Sequence, residues 1–400
     1  MTVRFSPAVA IPLALLAAAA CVLSAADRSI KAGLPFPALL SRPSLGAVAA
    51  RRDSLAALQA ADFPRAEALA RVAVARDPGQ QQSAALLGAA RLGRHATDAA
   101  LQAFLVAGAL GWRDPITQLY WLDYAQTVGD FDMVAQRVDA LRRTQNNAAA
   151  VPALEALESS NEGRASLAKR LALDPPWRDQ YILESGTLSS DQAVNGRVAS
   201  LQRAKMAGMP ADCGIVAGAA RLLVNGKRHA AAATLWRSLC VPSASATSAL
   251  MDGGFRDVPT NREASPFEWT LMASGAIEAH VDSLPAPLAG KGLFARSTSS
   301  VREPIARKWL ALAPGHYILS WSASAENRAA GGPFSVSFSC PDVPARSPLE
   351  SVPIGRGRYA SSISVPATAC SIQLLKILVE PSSNGSGAAS ISDLRIASKP

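Results

Sequence analysis

Four histidines in 400 residues leave little room for metal or acid–base chemistry. His95, His229, His280 and His316 form no HExxH pair, so a zincin is excluded. The five cysteines include no CxxC and no metal-type Cys/His spacing, which argues against zinc. No GxSxG elbow occurs, and Gly385-Ser386-Gly387 reads as a flexible turn in a Ser/Gly/Asn run. Gly226-Lys227 is followed by Arg228, and position 221 is Arg, so a phosphate-binding loop fails twice. No GxGxxG follows a strand. The expectation is therefore no cofactor, no metal and no catalytic residue. One chemistry stays open, because the carboxylate pair of a glycoside hydrolase is defined in space and leaves no spacing in sequence. His95 and His229 fall at inter-helix turns and read as surface loop residues.

Charge is sparse as well. Charged residues make up 18% of the chain and hydrophobic ones 49%, which permits sizeable cores and excludes a disordered acidic or basic tail. The length suits two or three domains. Formal charge is +9, but it is diluted: residues 27–250 hold 25 basic and 19 acidic side chains, residues 251–400 hold 14 and 12. No basic stripe results, which weakens a nucleic-acid reading. Long apolar runs are scarce too. A single one, Ala8–Ala26, excludes a polytopic membrane protein.

That run (AVAIPLALLAAAACVLSAA) follows Arg4, and Ser24 and Ala26 fit a small-x-small cleavage site before Asp27. Residues 1–26 read as a cleaved signal peptide or as an uncleaved transmembrane anchor. A lipoprotein reading on Cys21 is weaker, because Ala18 stands where Leu is usual. A buried soluble helix is the remaining alternative. The three export readings place the rest of the chain in the periplasm, free or anchored to the inner membrane. Setting Cys21 aside leaves Cys213, Cys240, Cys340 and Cys370, an even number. Local pairing, Cys213–Cys240 and Cys340–Cys370, is expected in an oxidising compartment. The alternative is four inert buried thiols. Phe334, Val336, Phe338 and Cys340 share one face of a strand, and Cys370, Ile372 and Leu374 one face of another, so Cys340 and Cys370 both point inward.

A period runs through the first half. Ala61-Asp62-Phe63-Pro64-Arg65-Ala66 continues to Ala73 and Asp77-Pro78, and Gly129-Asp130-Phe131-Asp132 opens a helix sixty-eight residues later. Between them lie Leu87-Gly88, Ala100 and Phe104. With these residues, 47–148 resembles three tetratricopeptide (TPR) repeats, the third degenerate at Val134 and Leu141. Small residues let paired helices approach, Asp caps the second helix, and Pro ends it. Ser166–Pro175 and Gly214–Leu239, turning at Asn225-Gly226-Lys227, extend the array. The expected solenoid spans 47–242, after a linker at 27–46. Trp112, Trp121 and Trp236 read as core. The resemblance implies a partner groove at Arg51, Leu55 and Gln59, then Gln82, Ala85 and Ala89, then Leu119, Asp123 and Gln126. It lacks a basic clamp for a peptide carboxylate, and the alternative is that these are solvated helix faces.

After Cys240 the helical period gives way to alternation. Residues 243–262 read as a linker and 263–400 as a β-sandwich. Its expected strands are Phe267–Leu271, Ala276–Asp282, Gly292–Arg296, Ile305–Leu312, Tyr317–Ser322, Phe334–Cys340, Tyr359–Val365, Cys370–Ile377 and Ser390–Ala397. The predicted fold class is thus α then β, a TPR-like α-solenoid followed by an antiparallel β-sandwich or jelly roll. Gly253-Gly254-Phe255, Phe267-Glu268-Trp269, Ala313-Pro314-Gly315-His316-Tyr317-Ile318-Leu319-Ser320 and the closing Ile391–Ile396 strand make the second half similar to the galactose-binding-like jelly rolls of carbohydrate-binding modules. That resemblance implies sugar stacked on exposed aromatics. Phe334, Phe338, Tyr317 and Trp321 read as core, which leaves Trp269, Trp309 and Tyr359, with Arg356 and Arg358 beside them, as glycan-binding candidates or as core and rim packing. Two functions follow. The first is a non-enzymatic envelope interaction or scaffold protein, serving exopolysaccharide assembly or export, with other envelope proteins and polysaccharide as partners and no nucleic acid. The second is a glycan-active enzyme, hydrolase or lyase, with carboxylates on sandwich loops.

Overall fold

The computed structural model describes residues 22, 46–144, 147–241, 250, 252–284, 288, 290–325, 333–341, 348–368, 370–381 and 387–399. The signal or anchor run lies outside these residues except for Val22, as do the linker at 27–46, save Gly46, and residues 242–249. Among the described residues no helix is long and apolar enough to cross a membrane. The architecture is α then β. Among the described residues twelve helices are followed by ten strands in two antiparallel sheets. By contacts the chain divides into two compact units, Met1–Leu157 and Glu158–Pro400.

The first unit holds α1 (Ala47–Gln59), α2 (Phe63–Arg76), α3 (Gln81–Gly93), α4 (Thr97–Leu110), α5 (Pro115–Val128), α6 (Phe131–Arg143) and most of α7 (Asn147–Ser159). Its geometry repeats. Ala61, His95 and Gly129 have left-handed φ of 55°, 60° and 73°, a constant spacing of 34 residues. After each, a backbone N–H closes the turn on a carbonyl five residues back: Asp62 to Ala57, Ala96 to Arg91, Asp130 to Ala125, all at 2.9 Å. The side chains of Asp62 and Asp130 then accept from Arg65 N and Met133 N, capping α2 and α6. Ser54, Gly88 and Leu122 are buried, and so are Ala70, Phe104 and Val138. A Cβ on Gly88 would stand 2.8 Å from the Phe104 ring, so the approach of α3 to α4 requires glycine there. Small residues therefore do the packing, with Ala57, Ala66 and Ala90 in one cluster and Ala84, Ala85 and Ala107 in another.

Two expectations for this unit need correction. Arg51 is buried at 8% exposure, paired with Asp77 at 3.1 Å and donating to Ser83 Oγ at 3.3 Å, because its guanidinium ties α1 to the loop before α3. It lines no groove. Trp112 is 47% exposed and is not core; the Arg137 guanidinium covers its ring at 4.0 Å. Of the other groove candidates, Gln59, Asp123 and Gln126 are exposed and Gln82 is half-buried.

The second unit contains α8 (Asn161–Leu171), α9 (Arg178–Glu184), α10 (Asp191–Met206), α11 (Cys213–Asn225), α12 (His229–Cys240) and the whole sandwich. A buried ionic knot joins its first helices. Arg197 Nε donates to Glu158 Oε1 at 2.5 Å, and its Nη1 donates to the Tyr181 carbonyl at 3.0 Å. Tyr181 Oη donates to the same Glu158 oxygen at 2.7 Å. Burial, then the Glu158 charge, pushes the Tyr181 phenol well above its usual range. Trp236 is core as expected, whereas His229 is 7% exposed and packs its ring against Trp309 at 6.3 Å, so it is no surface loop residue.

The sandwich strands are β1 (Thr270–Leu271), β2 (Ile277–Leu284), β3 (Gly290–Ser297), β4 (Glu303–Leu310), β5 (Gly315–Ala325), β6 (Phe334–Ser339), β7 (Val352–Gly355), β8 (Arg358–Val365), β9 (Gln373–Val379) and β10 (Gly387–Ser398). One sheet has the order β1-β4-β9-β6, the other β2-β3-β10-β5-β8-β7. Alternation buries Leu319, Trp321 and Ala323 from β5 against Val336, Leu375 and Ile377 of the opposite sheet. Leu250 and Phe255 belong to this core, so the sandwich draws in residues from within the segment read as a linker.

Both expected disulfides are present, Cys213–Cys240 and Cys340–Cys370, with Cα separations of 5.7 and 5.1 Å. Peptide mapping without reduction is expected to recover both linked pairs; free thiols at all four positions would refute them. Cys340→Ser with Cys370→Ser opens a thirty-residue loop and is expected to cost about 3–4 kcal/mol in urea denaturation. Glu158→Ala strands a buried guanidinium and is expected to cost about 3–5 kcal/mol, while the exposed pair partner Arg143→Ala shifts stability by less than about 1 kcal/mol.

Candidate functional site

The segment before β1 builds the site. Asp252 and Phe255 adopt left-handed φ of 58° and 55°, which folds the chain back on itself. The Asp252 carboxylate accepts from Arg256 N at 2.6 Å and Asp257 N at 3.0 Å, and its carbonyl accepts from Trp269 Nε1 at 2.9 Å. The Gly253 carbonyl accepts from Leu394 N at 3.0 Å. A Cβ on Gly253 would lie 1.9 Å from the Leu394 oxygen, so this approach admits only glycine. Further along, Arg262 grips Glu268 with two bonds of 2.8 and 2.6 Å, and Ser265 N donates to the same carboxylate at 2.8 Å. Arg221 of α11 donates to the Ala264 carbonyl at 2.9 Å and pairs with Glu263.

Between this segment and β1–β3 opens a cleft of about 600 Å³, within the size range of small-ligand sites. Phe255 and Trp269 line its apolar side, their ring centroids 4.8 Å apart. Arg256, His280, Asp282 and Lys291 line its polar side. The outer face of the six-stranded sheet begins at that rim. His280, Phe294, Ser390 and Ser324 lie side by side across β2, β3, β10 and β5, and the His280 and Phe294 rings are 4.9 Å apart. Ser392 and Ser322 form the neighbouring pair, with Arg358 beyond on β8. An aromatic ring beside hydroxyls on a sheet face can hold a polar ring by stacking and hydrogen bonds.

Beneath the apolar side lies an unusual charge. Lys308 is 2% exposed and shares its face of β4 with the core residues Ala306 and Leu310. Its Nζ lies 5.5 Å from the centroid of the Trp269 ring. Burial pushes its ammonium down to about 8, opposed by the charges of Asp252, Glu268 and Asp257. Burial also raises the Asp252 carboxyl, against the two backbone bonds it accepts.

The sequence-derived glycan candidates are not brought together. Trp269 lines the cleft, but it is 1% exposed and its N–H is satisfied, so it offers an edge and no open face. Trp309 is half-buried against His229. Tyr359 stacks on Trp321 at 6.1 Å inside the sandwich, and Arg356 and Arg358 are exposed at the β7–β8 hairpin. Arg256, His280, Asp282, Lys291 and Phe294 were missed. Their one trace in sequence is the alternation of Glu278, His280 and Asp282 on β2. Among the described residues no cluster of His, Cys, Asp or Glu could hold a metal ion.

No protein-family model matches the chain, and no curated protein matches it. Solved structures match at low overall scores. The enzymatically active domain of bacteriophage CBA120 tailspike protein 4 aligns at 12% identity and TM-score 0.27, over 39% of this chain and 22% of that one. TmCBM61 in complex with β-1,4-galactotriose aligns at 13% and 0.27, over 38% and 99%. A structure described as CBM4 aligns at 16% and 0.25, over 37% and 98%.

The buried ammonium makes stability depend on pH. The unfolded chain holds the Lys308 proton up to about 10.4, the folded chain only to about 8. Between those values the unfolded state binds more protons, so stability rises as pH rises from 8 towards 10. Urea midpoints are expected to climb from pH 7.5 to 9.5 in the native protein and to stay level in Lys308→Met. Parallel slopes in the two proteins would exclude Lys308 as the cause.

Proposed function

We propose that this chain is a non-enzymatic interaction protein of the cell envelope that binds glycan through its β-sandwich. The observation that carries the reading is the cleft beside β2, with its apolar side, its polar rim and the adjoining Phe294–His280 and serine face, where Phe294 is the ring available for stacking. Such a surface meets a saccharide's two needs, a ring to stack on and donors and acceptors for its hydroxyls. Among the described residues lining the cleft, Asp282 is the single carboxylate. Glycoside hydrolysis by the usual scheme uses two, so binding is favoured over cleavage.

The helical unit supplies the second contact surface in this proposal. Its 34-residue recurrence of left-handed turns supports a TPR-type array, and exposed Gln59, Asp123 and Gln126 are the groove residues proposed to meet another envelope protein. Two disulfides favour an oxidising, extracytoplasmic compartment. Within it we place the protein in the periplasm, free or held at the inner membrane, in surface polysaccharide assembly or export.

Native gels cast with individual polysaccharides test the binding. The full chain is expected to be retarded in at least one of them, with Phe294→Ala weakening retention about tenfold, the scale of one stacking contact. Incubation with the same polymers is expected to release no reducing ends. Migration unaffected by every polymer, or steady release of reducing ends, would overturn the reading.

A further inference from the structure

We infer that the ligand of the cleft is an acidic saccharide, bound through a ring carboxylate by Arg256 and Lys291. The inference rests on the glycan reading above and adds the class of sugar. Four cations elsewhere on the sandwich are paired, Arg262 with Glu268 at 2.6 Å, Arg302 with Glu380 at 2.7 Å, Arg395 with Asp393 at 2.8 Å and Arg296 with Glu278 at 4.0 Å, while Arg307, Arg356, Arg358 and Lys376 have no ion pair among the described residues. Arg256 and Lys291 stand apart by their place in the cleft. Both are exposed, both line the cleft, and among the described residues neither side chain has an ion-pair or hydrogen-bond partner. They come from separate elements, the loop after Asp252 and β3. Two cations thus line one concavity that has an apolar side.

The local backbone holds one of them in place. Asp252 accepts from the N–H groups of Arg256 and Asp257, which fixes the turn carrying the guanidinium. That carboxylate is thereby occupied with backbone donors. The carboxylate in the lining, Asp282, accepts from its neighbour Ser283 N at 2.7 Å. A planar guanidinium can take a carboxylate with two parallel bonds, and an ammonium adds a point charge. The sugar ring then lies towards the half-buried Val258, Pro259 and Leu271 of the apolar side. A neutral saccharide would use the same apolar side and leave both charges without a counter-ion.

The test compares the full chain in native gels containing polygalacturonate with gels containing a neutral β-1,4-galactan at equal concentration. Retention in polygalacturonate is expected to be at least tenfold stronger and to fall with added salt. The double variant Arg256→Gln, Lys291→Gln is expected to lose at least tenfold in polygalacturonate with an unchanged melting temperature. A control, Arg307→Gln with Lys376→Gln, removes two adjacent cations from the other sheet and is expected to change nothing. Equal retention in the two gels, or a cleft variant that binds like the native protein, overturns the acidic class and leaves glycan binding intact. The same holds if the control variant loses as much as the cleft variant, since the attraction would then be diffuse charge. Retention by neither polymer, nor by any other glycan, removes the underlying reading and this inference with it.

Discussion

The indole N–H of Trp269 donates to the Asp252 carbonyl at 2.9 Å, and the shape of the cleft follows from that bond. It closes the segment from Asp252 to Trp269 into a loop whose ends are fixed to each other. Gly253 then docks on Leu394 of the last strand, which ties the loop to the sandwich core. Phe255 enters that core beside Trp269. A buried indole N–H left without a partner costs about 1–3 kcal/mol, so the ring and the loop constrain each other. With the loop held, Arg256 has a fixed origin, and the cleft has one rigid wall in the loop and another in β2 and β3.

The same ring bears on the strongly perturbed ammonium of Lys308. An inward-facing lysine in a sandwich is a cost in free energy, because desolvation opposes its charge. Lys308 is tolerated because the Trp269 ring lies near it and three carboxylates, those of Asp252, Glu268 and Asp257, act on its charge. Glu268 is itself held by Arg262, whose guanidinium lies 5.9 Å from the Trp236 ring of α12. A chain of polar contacts thus runs from the helices of the second unit through the segment before β1 into the sandwich interior. Its members share carboxylates, so replacing one is felt by the others.

Arginine does much of the joining in both units. Glu67 meets Arg71, Arg91 and Arg94, which outweigh its burial and hold its carboxyl below the usual range. Arg51 ties α1 to Asp77 and Ser83, and Arg197 ties α10 to Glu158 and Tyr181. Arg51 and Arg197 bridge helices, whereas Arg256 and Lys291 at the cleft have no such partner among the described residues.

Local patterning determined a good deal on its own. The alternation of Phe334–Ser339 and its counterparts placed the strands, because a sheet with one buried face imprints a period of two on its residues. The spacing of Asp62 and Asp130 placed the helix turns, because capping chemistry is local. Cys340 shares its inward face with Phe334, Val336 and Phe338 as expected, but the expected face of Cys370 with Leu374 is not formed, because β9 turns Leu375 and Ile377 inward instead. Strand β7 escaped, since all four of its residues are exposed and Pro353 interrupts them, leaving no buried face to imprint. Tertiary structure alone decided which side chains are free. Arg51 reads as surface and is buried, Trp269 reads as a sugar platform or as core and rim packing and is buried, Trp112 reads as core and is exposed, and His229 lies under Trp309. In each case the deciding neighbour lies far along the chain: Asp77 for Arg51, Asp252 for Trp269, Arg137 for Trp112. The cleft has the same origin. Arg256, His280 and Lys291 share no period and no motif, and they meet only because Trp269 pulls a loop across the edge of a sheet.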